Sequence, residues 1–225
     1  MSTNNRKAIP KLSRTQELQK KYPGHKPIPP SRRTVVIMLA ATVILSLLLV
    51  FTFLKKAQAP QVVGNKYVVL ETSMGTIKLE LDGDKAPRTV TKFVENVVGG
   101  KYDGLTFHRV MKGFMIQGGD PNGNGTGGKE IPFEKTDISH VRGVISMASS
   151  QEGVTQSDMQ FFIMHGDYTG LDGTFAAFGH VVEGMDVVDK IASVPIGPNP
   201  NPGMSDEMSV PLTRITIIRA TEVAN

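Results

Sequence analysis

Three rhythms of apolar and polar positions follow one another along the chain. The first is continuous: "TVVIMLAATVILSLLLVFTFL", Thr34 to Leu54, is 21 residues without a charge. A helix of that length covers the ~30 Å hydrocarbon core of a bilayer. Its only polar members are Thr and Ser, so it offers water no face, and the pattern predicts a transmembrane helix over 34–54. The second rhythm has a period of two. In Thr76–Leu81, Ile77, Leu79 and Leu81 alternate with Lys78 and Glu80; Tyr67–Thr72 precedes it, and Ser73-Met74-Gly75 joins the two as a hairpin. The third is helical. In "APRTVTKFVENVVGG", Val90, Phe93, Val94, Val97 and Val98 recur on one face, Pro87 suits the first helical position, and Gly99-Gly100 stops the helix.

Further short strands are predicted around Thr106–Val110, Phe114–Gln117, Gly143–Met147, Gln160–His165, Ala176–His180 and Thr213–Ala220, with a second helix over Met185–Ala192 that turns Val188 and Ile191 inward. Many short strands, Gly-rich turns and two helices predict an antiparallel β-barrel capped by helices. Periodicity alone does not separate a barrel from a sandwich.

Charge divides the chain where the rhythm does. Residues 1–33 hold nine Lys/Arg against Glu17 alone, with prolines interspersed, and read as a disordered basic tail. Lys55, Lys56 and Lys66 fall in a linker over 55–66. Residues 67–225 hold thirteen Lys/Arg against twenty Asp/Glu, a net of −7, although the whole chain is +4. An acidic domain of this kind argues against nucleic-acid binding. The excess of Lys/Arg before the span over that after it predicts a cytoplasmic N-terminus and an extracytoplasmic domain, and the tail is suited to contact anionic headgroups. A cleaved signal peptide is the competing reading, with Ala57-Gln58-Ala59 as its A-x-A site. Against it stand the 33 residues before the apolar run and the intervening Lys55 and Lys56. There is no cysteine, which removes disulfides, thiolate metal sites and thiol nucleophiles.

Several motifs carry less than their spelling promises. Gly123 to Lys129 fits G-x-x-x-x-G-K, but Glu130 stands where a phosphate loop needs Ser or Thr, and Pro132 spoils the helix that must follow. The stretch reads as a surface loop with left-handed glycines. Asn124-Gly125-Thr126 is a glycosylation sequon that matters only in a eukaryotic secretory lumen. None of the five histidines has a metal-binding spacing, so they read as structural or surface groups. Ser146, Ser149 and Ser150 lack a nucleophile elbow. In "FHRVMKGFMIQGGD", Lys112 falls beside a turn glycine and Asp120 at the end, and Arg109 is the charge set inside the apolar, strand-like part. On residue chemistry alone an outward ion pair is the favoured reading, and donation of hydrogen bonds into an apolar site is the alternative.

"FHRVMKGFMIQGGD", "GTGGKE", "GVISMA", "MQFFI", "LDGTFAAFG" and "VVEGMDVVDKI" resemble, in order and spacing, the cyclophilin family of peptidyl-prolyl cis–trans isomerases. The resemblance covers about Tyr67 to Ala220. It implies a mainly β fold, an eight-stranded antiparallel barrel capped by two helices, here over 67–223 and preceded by one transmembrane helix. It implies that Arg109 is catalytic and that Phe114, Met115, Gln117, Gly125, Ala148, Ser149, Gln160, Phe162, Leu171 and Phe175 bind substrate. It implies no metal and no cofactor. Two positions depart from the family's pattern. Gly170 stands where many members carry Trp or His, and the missing indole N–H implies weak binding of cyclosporin; Phe175 stands where many carry His or Tyr. The segment Ser149–Met159 is longer than in common members, which leaves peptide preference open.

The functional expectation is a monomeric, membrane-tethered isomerase acting on X-Pro bonds of proline-containing polypeptides during folding of exported or membrane proteins. Its setting is expected to be a bacterial plasma membrane. The alternatives are a tethered module that holds proline-containing segments as chaperone or scaffold with little turnover, and a structural membrane protein whose tail binds a cytoplasmic partner.

Overall fold

The computed structural model describes residues 14–21, 30–56, 61–201, 204 and 206–224. Its chain contacts divide into two compact units, 1–59 and 60–225. In the first, α1 (Arg14–Lys21) is a short helix and α2 (Arg32–Lys56) a long one. At 1.5 Å per residue, 25 residues of α2 measure about 38 Å. Its Arg32–Val50 stretch has mean hydropathy 2.4 and is not buried at all. The reading of the tail as disordered gives way to a helix at Arg14–Lys21, and for 1–13 and 22–29 it lies outside the described residues, as does the 57–60 part of the linker.

The second unit is built on β1 (Asn65–Thr72), β2 (Gly75–Asp82), β3 (Phe107–Met111), β4 (Met115–Gly118), β6 (Val144–Met147), β8 (Phe161–Met164), β9 (Ala176–Glu183) and β12 (Ile217–Val223). These eight form one antiparallel sheet in the order β12-β1-β2-β9-β6-β8-β4-β3. The sheet curls until its two end strands meet. Thr106 and Thr216 form a bridge, and Phe107 N–H donates to the Ile215 carbonyl at 3.0 Å. Two helices, α3 (Pro87–Val98) and α4 (Met185–Ala192), cap it, and four short strands stand outside it in pairs, β5 (Glu130–Pro132) with β7 (Thr155–Ser157) and β10 (Ile196–Pro198) with β11 (Met208–Pro211).

The predicted rhythms explain what is buried. Ile77, Leu79 and Leu81 all point inward with no exposure, as do Val68 and Leu70. Phe93 of α3 plugs the interior, 5.6 Å edge-to-face from Phe161 and 5.1 Å from Phe178. The apolar face of α4, through Val188 and Ile191, joins the same core. The start of α3 is capped from a distance. Ala86 gives no side-chain cap, and the Glu134 carboxylate accepts instead from Arg88 N–H, Thr89 N–H and Thr89 Oγ1 at 3.2, 2.7 and 2.7 Å.

Alternation in the central strands delivers a second apolar group to the outer face. Ile116, Ile145, Phe161 and Ile163 belong to the interior, whereas their neighbours Met115, Val144, Phe162 and Met164 cluster with Ala177 outside it. Phe114, Ala148, Leu171 and Phe175 pack on that second cluster half-buried. The site stands on this face.

Candidate active site

Parity along β3 would place Arg109 on the same face as Phe107, in the interior. A register shift between Phe107 and Arg109 prevents this: Phe107 pairs with Gly118 and Arg109 with Gln117. Phe107 and Val110 then both face the core, and the bulge turns Arg109 to the outer face beside Gln117. There Arg109, Phe114, Met115, Gln117, Ala148, Ser149, Phe162, Leu171 and Phe175 line one cavity of about 220 Å³, together with Glu152 and Met204. That is below the roughly 300–1,000 Å³ of clefts for drug-sized ligands and suits one side-chain ring with its flanking backbone.

Gln160 and Gly125 stand behind the cavity lining. Arg109 Nη1 donates to Gln117 Oε1 at 3.2 Å, Gln117 Nε2 to Gln160 Oε1 at 3.1 Å, and Gln160 Nε2 to the carbonyls of Gly125 and Gly127 at 3.2 and 2.7 Å. The chain of donors fixes both amides and links the guanidinium to the glycine loop. That loop is organised on its own carboxylate. Asp120 is 1% exposed and accepts from the backbone N–H groups of Asn122, Asn124 and Gly125 at 2.9, 2.8 and 2.5 Å. A Cβ on Gly127 would lie 2.0 Å from Asp120 Oδ1, so only glycine lets the loop wrap that closely. Two amides inside the phosphate-loop spelling, those of Asn124 and Gly125, are thus engaged by the chain's own carboxylate.

The apolar wall is held from below by a polar triad, buried at His140 and Ser146 and open to solvent at Asp172. His140 stacks on Phe162 at 6.0 Å, and Phe162 meets Phe175 edge-on at 5.7 Å. His140 Nδ1 lies 2.9 Å from Asp172 Oδ1, and Nε2 lies 3.1 Å from Ser146 Oγ. Burial pulls the His140 pKa below its ordinary value, against Asp172, which pulls it up. The hydrogen bonds fix the neutral tautomer: Nδ1–H donates to the carboxylate and Nε2 accepts from the Ser146 hydroxyl. Hydrogen bonds from Ser139 and the His140 backbone hold the Asp172 carboxyl below its ordinary range. Ser, His and Asp meet here in hydrolase order of contact, yet Ser146 and His140 have no exposure, so the triad packs Phe162 and presents no nucleophile. His108, beside Arg109, is 8% exposed with neither ring nitrogen bonded. Burial first, and the Arg109 charge with it, hold its pKa down against Asp120, so it sits neutral.

Three neighbours of the site were absent from the sequence reading: Glu152, Met204 and Glu207. Arg109 Nε and Nη2 each donate to Glu207, at 2.7 Å to Oε1 and 2.7 Å to Oε2. Hydrogen bonding from Arg109 holds the Glu207 carboxyl below its ordinary range, against partial burial. Nothing in the spelling "MSDEMS" marked its glutamate, because the contact spans 98 residues. The departure at Gly170 also acquires a neighbour: a Cβ there would meet the Tyr168 ring at 3.2 Å, and that ring packs edge-on to Phe114 at 5.2 Å.

The fold is thus a curled antiparallel sheet with helical caps, carrying an arginine-centred, apolar-walled cavity on its outer face. The family model described as "Cyclophilin type peptidyl-prolyl cis-trans isomerase/CLD" matches residues 67–222, and the chain belongs to that family. A peptidyl-prolyl cis-trans isomerase of Synechococcus elongatus is 45% identical over 138 residues, covering 57% of this chain and 94% of its own length. One of Arabidopsis thaliana is 38% identical over 157 residues, covering 67% and 94%. The chain spans only 24% of a longer isomerase-like relative from Cryptococcus neoformans, at 43% identity. In structure it is similar to a cyclophilin-type isomerase of Cryptosporidium parvum, with TM-score 0.64 and 28% identity over 72% of this chain and 99% of that one.

Proposed function

We propose that the chain catalyses cis–trans isomerisation of X-Pro bonds from a membrane tether, with Arg109 as the catalytic donor. The observation that carries the reading is the convergence of Arg109, Gln117, Phe114, Phe162, Leu171 and Phe175 on one cavity in a member of this family. Rotation about a peptide bond meets a barrier of ~18–20 kcal/mol because resonance is lost on twisting. The twisted prolyl nitrogen gains a lone pair, and a guanidinium N–H aimed at it stabilises that state more than the planar one. The apolar wall holds the proline ring and excludes water, which strengthens the donor bond. Gln117 and Gln160 orient the guanidinium and the substrate backbone. The Cryptosporidium relative was also solved in the presence of the dipeptide Ala-Pro, which supports proline-containing peptides as the ligand class here.

The tether reading rests on α2, whose apolar stretch is exposed all round, and on the Lys/Arg excess ahead of it. In this reading the N-terminus is cytoplasmic, and the isomerase domain meets exported or membrane proteins on the far side of a bacterial plasma membrane, as a monomer. Gly170 carries the weak cyclosporin binding inferred above. A second reading, a tethered proline-peptide holder with little turnover, draws support from one observation, the engagement of Arg109 by Glu207.

The test is the isomerisation rate of Ala-Pro peptides, followed by exchange spectroscopy, with the full chain in detergent micelles. A rate above the uncatalysed background supports the enzyme reading, and binding without acceleration moves the protein to the holder reading. Protease accessibility of the domain in intact cells reports the topology, and shielding of the domain would reverse it.

A further inference from the structure

The salt bridge that residue chemistry favoured for Arg109 and the site role that the family resemblance favoured coexist in the structure. Arg109 lines the cavity and is paired with a carboxylate as well. The pair is a fork on a fork, with Nε and Nη2 each 2.7 Å from its own oxygen, the geometry in which a guanidinium loses most freedom. Both side chains are 19% exposed. Glu207 is itself held. The Asn199 backbone N–H donates to the Glu207 carbonyl at 2.8 Å, and Asn199 Nδ2 donates to Ser209 Oγ at 3.1 Å. Asn199 and Ser209 add to Arg109 in holding the carboxyl below its ordinary range. These residues continue β10 and β11, whose register pairs Pro198 with Met208 across an irregularity.

Where the carboxylate stands decides what it does. The cavity is lined by Arg109 and Met204, and Glu207 is not among its lining residues. The carboxylate therefore backs the guanidinium and does not stand between it and the space for substrate. With Nε and Nη2 occupied, Nη1 is the donor left on the other edge, and it already faces Gln117. Met111 Sδ touches Nη2 at 3.3 Å and closes the remaining side.

We propose that Glu207 is a positioning residue for the isomerase reaction, clamping Arg109 so that its Nη1 edge is presented to the prolyl amide. The clamp substitutes for reorganisation during the reaction: the donor is aimed before substrate arrives. It also cancels the charge of Arg109, so the site draws substrate by shape and hydrogen bonding more than by a positive field. Glu207 holds Arg109 and nearby Met204 lines the cavity. This inference rests on the isomerase reading above.

The test compares wild type with Glu207→Ala and Glu207→Gln as full chains in micelles, on Ala-Pro peptides. Expected is a fall in kcat of about 10-fold in Glu207→Ala with KM nearly unchanged, a smaller fall in Glu207→Gln, and a melting temperature lowered in Glu207→Ala by the lost pairing. The rate of wild type should decline only as pH drops below the ordinary carboxylate range and Glu207 is protonated, and Glu207→Gln should lack that decline. The ionisable groups facing the carboxylate and its partner are Arg109 itself, neutral His108 beside it and Glu152 at the cavity, and both variants retain all three. The Arg109 Nε–H resonance should be resolved in wild type and broadened in Glu207→Ala, a readout independent of turnover. If wild type shows no rate, the isomerase reading fails, while that resonance still reports whether the clamp exists. A kcat in Glu207→Ala equal to wild type overturns the proposal. A raised kcat also overturns it and makes the carboxylate a restraint on Arg109. An unchanged Arg109 resonance in Glu207→Ala overturns the clamp itself.

Discussion

Arg109 and Arg142 each bring a guanidinium nitrogen within 2.7 Å of a carboxylate, and they differ in nearly everything else. Arg142 meets Asp189 end-on, one nitrogen serving both oxygens at 2.7 and 2.9 Å, with side chains 42% and 46% exposed. Arg109 meets Glu207 fork to fork at 19% exposure for each partner, beside an apolar cavity. For unit charges 4 Å apart, attraction rises from ~1 kcal/mol in water to ~4 kcal/mol at an effective dielectric of 20, so equal distances do not mean equal pairs. Arg142 ties loops together: its Nη1 donates to the His165 carbonyl at 2.8 Å and its backbone N–H to Asp167 at 2.7 Å. Arg109 keeps Nη1 toward Gln117 and the cavity. The contrast lies in what the pairing leaves over: one edge of Arg109, with Nη1, stays turned toward Gln117 and the cavity.

The widest gap between the two is expected in activity. Arg109→Ala should lower kcat/KM by roughly 10²- to 10³-fold, the usual cost of removing a preorganised donor to a transition state. Arg109→Lys should rescue little, since an ammonium does not reproduce the fork. Arg142→Ala should leave the rate near that of wild type. Equal rates in Arg109→Ala and Arg142→Ala would erase the distinction drawn here.

The next effect is on the wall that sets Arg109 apart. Phe162 is 5% exposed and packs between His140 and Phe175. Phe162→Ala should cost about 3 kcal/mol by denaturant titration, at the low end for buried Phe→Ala because one side already faces a cavity. Water admitted to the site should also reduce the rate. A variant as stable as wild type would mean that the wall is not packed as described.

Below the wall, the neutral His140 gives the comparison a pH axis. Its folded pKa lies below the ordinary 6.5, mainly through burial. The unfolded chain therefore binds the proton more readily. The stability contribution is complete above 6.5 and is lost as pH falls from there through the folded value. Asp172 is depressed too, but its loss begins only below its ordinary 3.8. Melting temperature should fall between pH 7.5 and 5, and His140→Gln should flatten that slope, leaving the contribution of His108, which has the same sign. An unchanged slope in His140→Gln would assign the effect to His108 alone.

The period-two and helical rhythms made β1, β2, α3 and α4 legible, because each buries one face and the burial dictates the spelling. The three- and four-residue strands β5, β7, β10 and β11 left no rhythm: they lie among prolines and glycines and pair only with one another. Most of the cavity lining was legible through the family motifs. Arg109 was legible as a residue and ambiguous as a role, because its direction depends on the bulge at His108, and no local pattern marks a bulge. Glu207 was illegible for a different reason. Its partner lies 98 residues away, and the β10–β11 pairing that brings it there is set by tertiary packing.

The smallest expected effect is the energy of the surface pair itself. A double-mutant cycle on Arg142 and Asp189 should give a coupling below about 1 kcal/mol, since exposed pairs gain little against screening and side-chain entropy. Raising the salt to about 1 M shortens the screening length to ~3 Å and should remove most of what remains. The same cycle on Arg109 and Glu207 should give a larger coupling that survives salt better, because the fork is part-buried and each partner left alone would lose its bonds in a half-dry site. Gln117 would still accept from a lone Arg109, and a lone Glu207 keeps partial access to water, which keeps the coupling short of that of a fully buried pair. Couplings equal in size and in salt dependence would mean that water reaches both pairs alike. The preorganisation argued for Arg109 would then have to come from Gln117 alone.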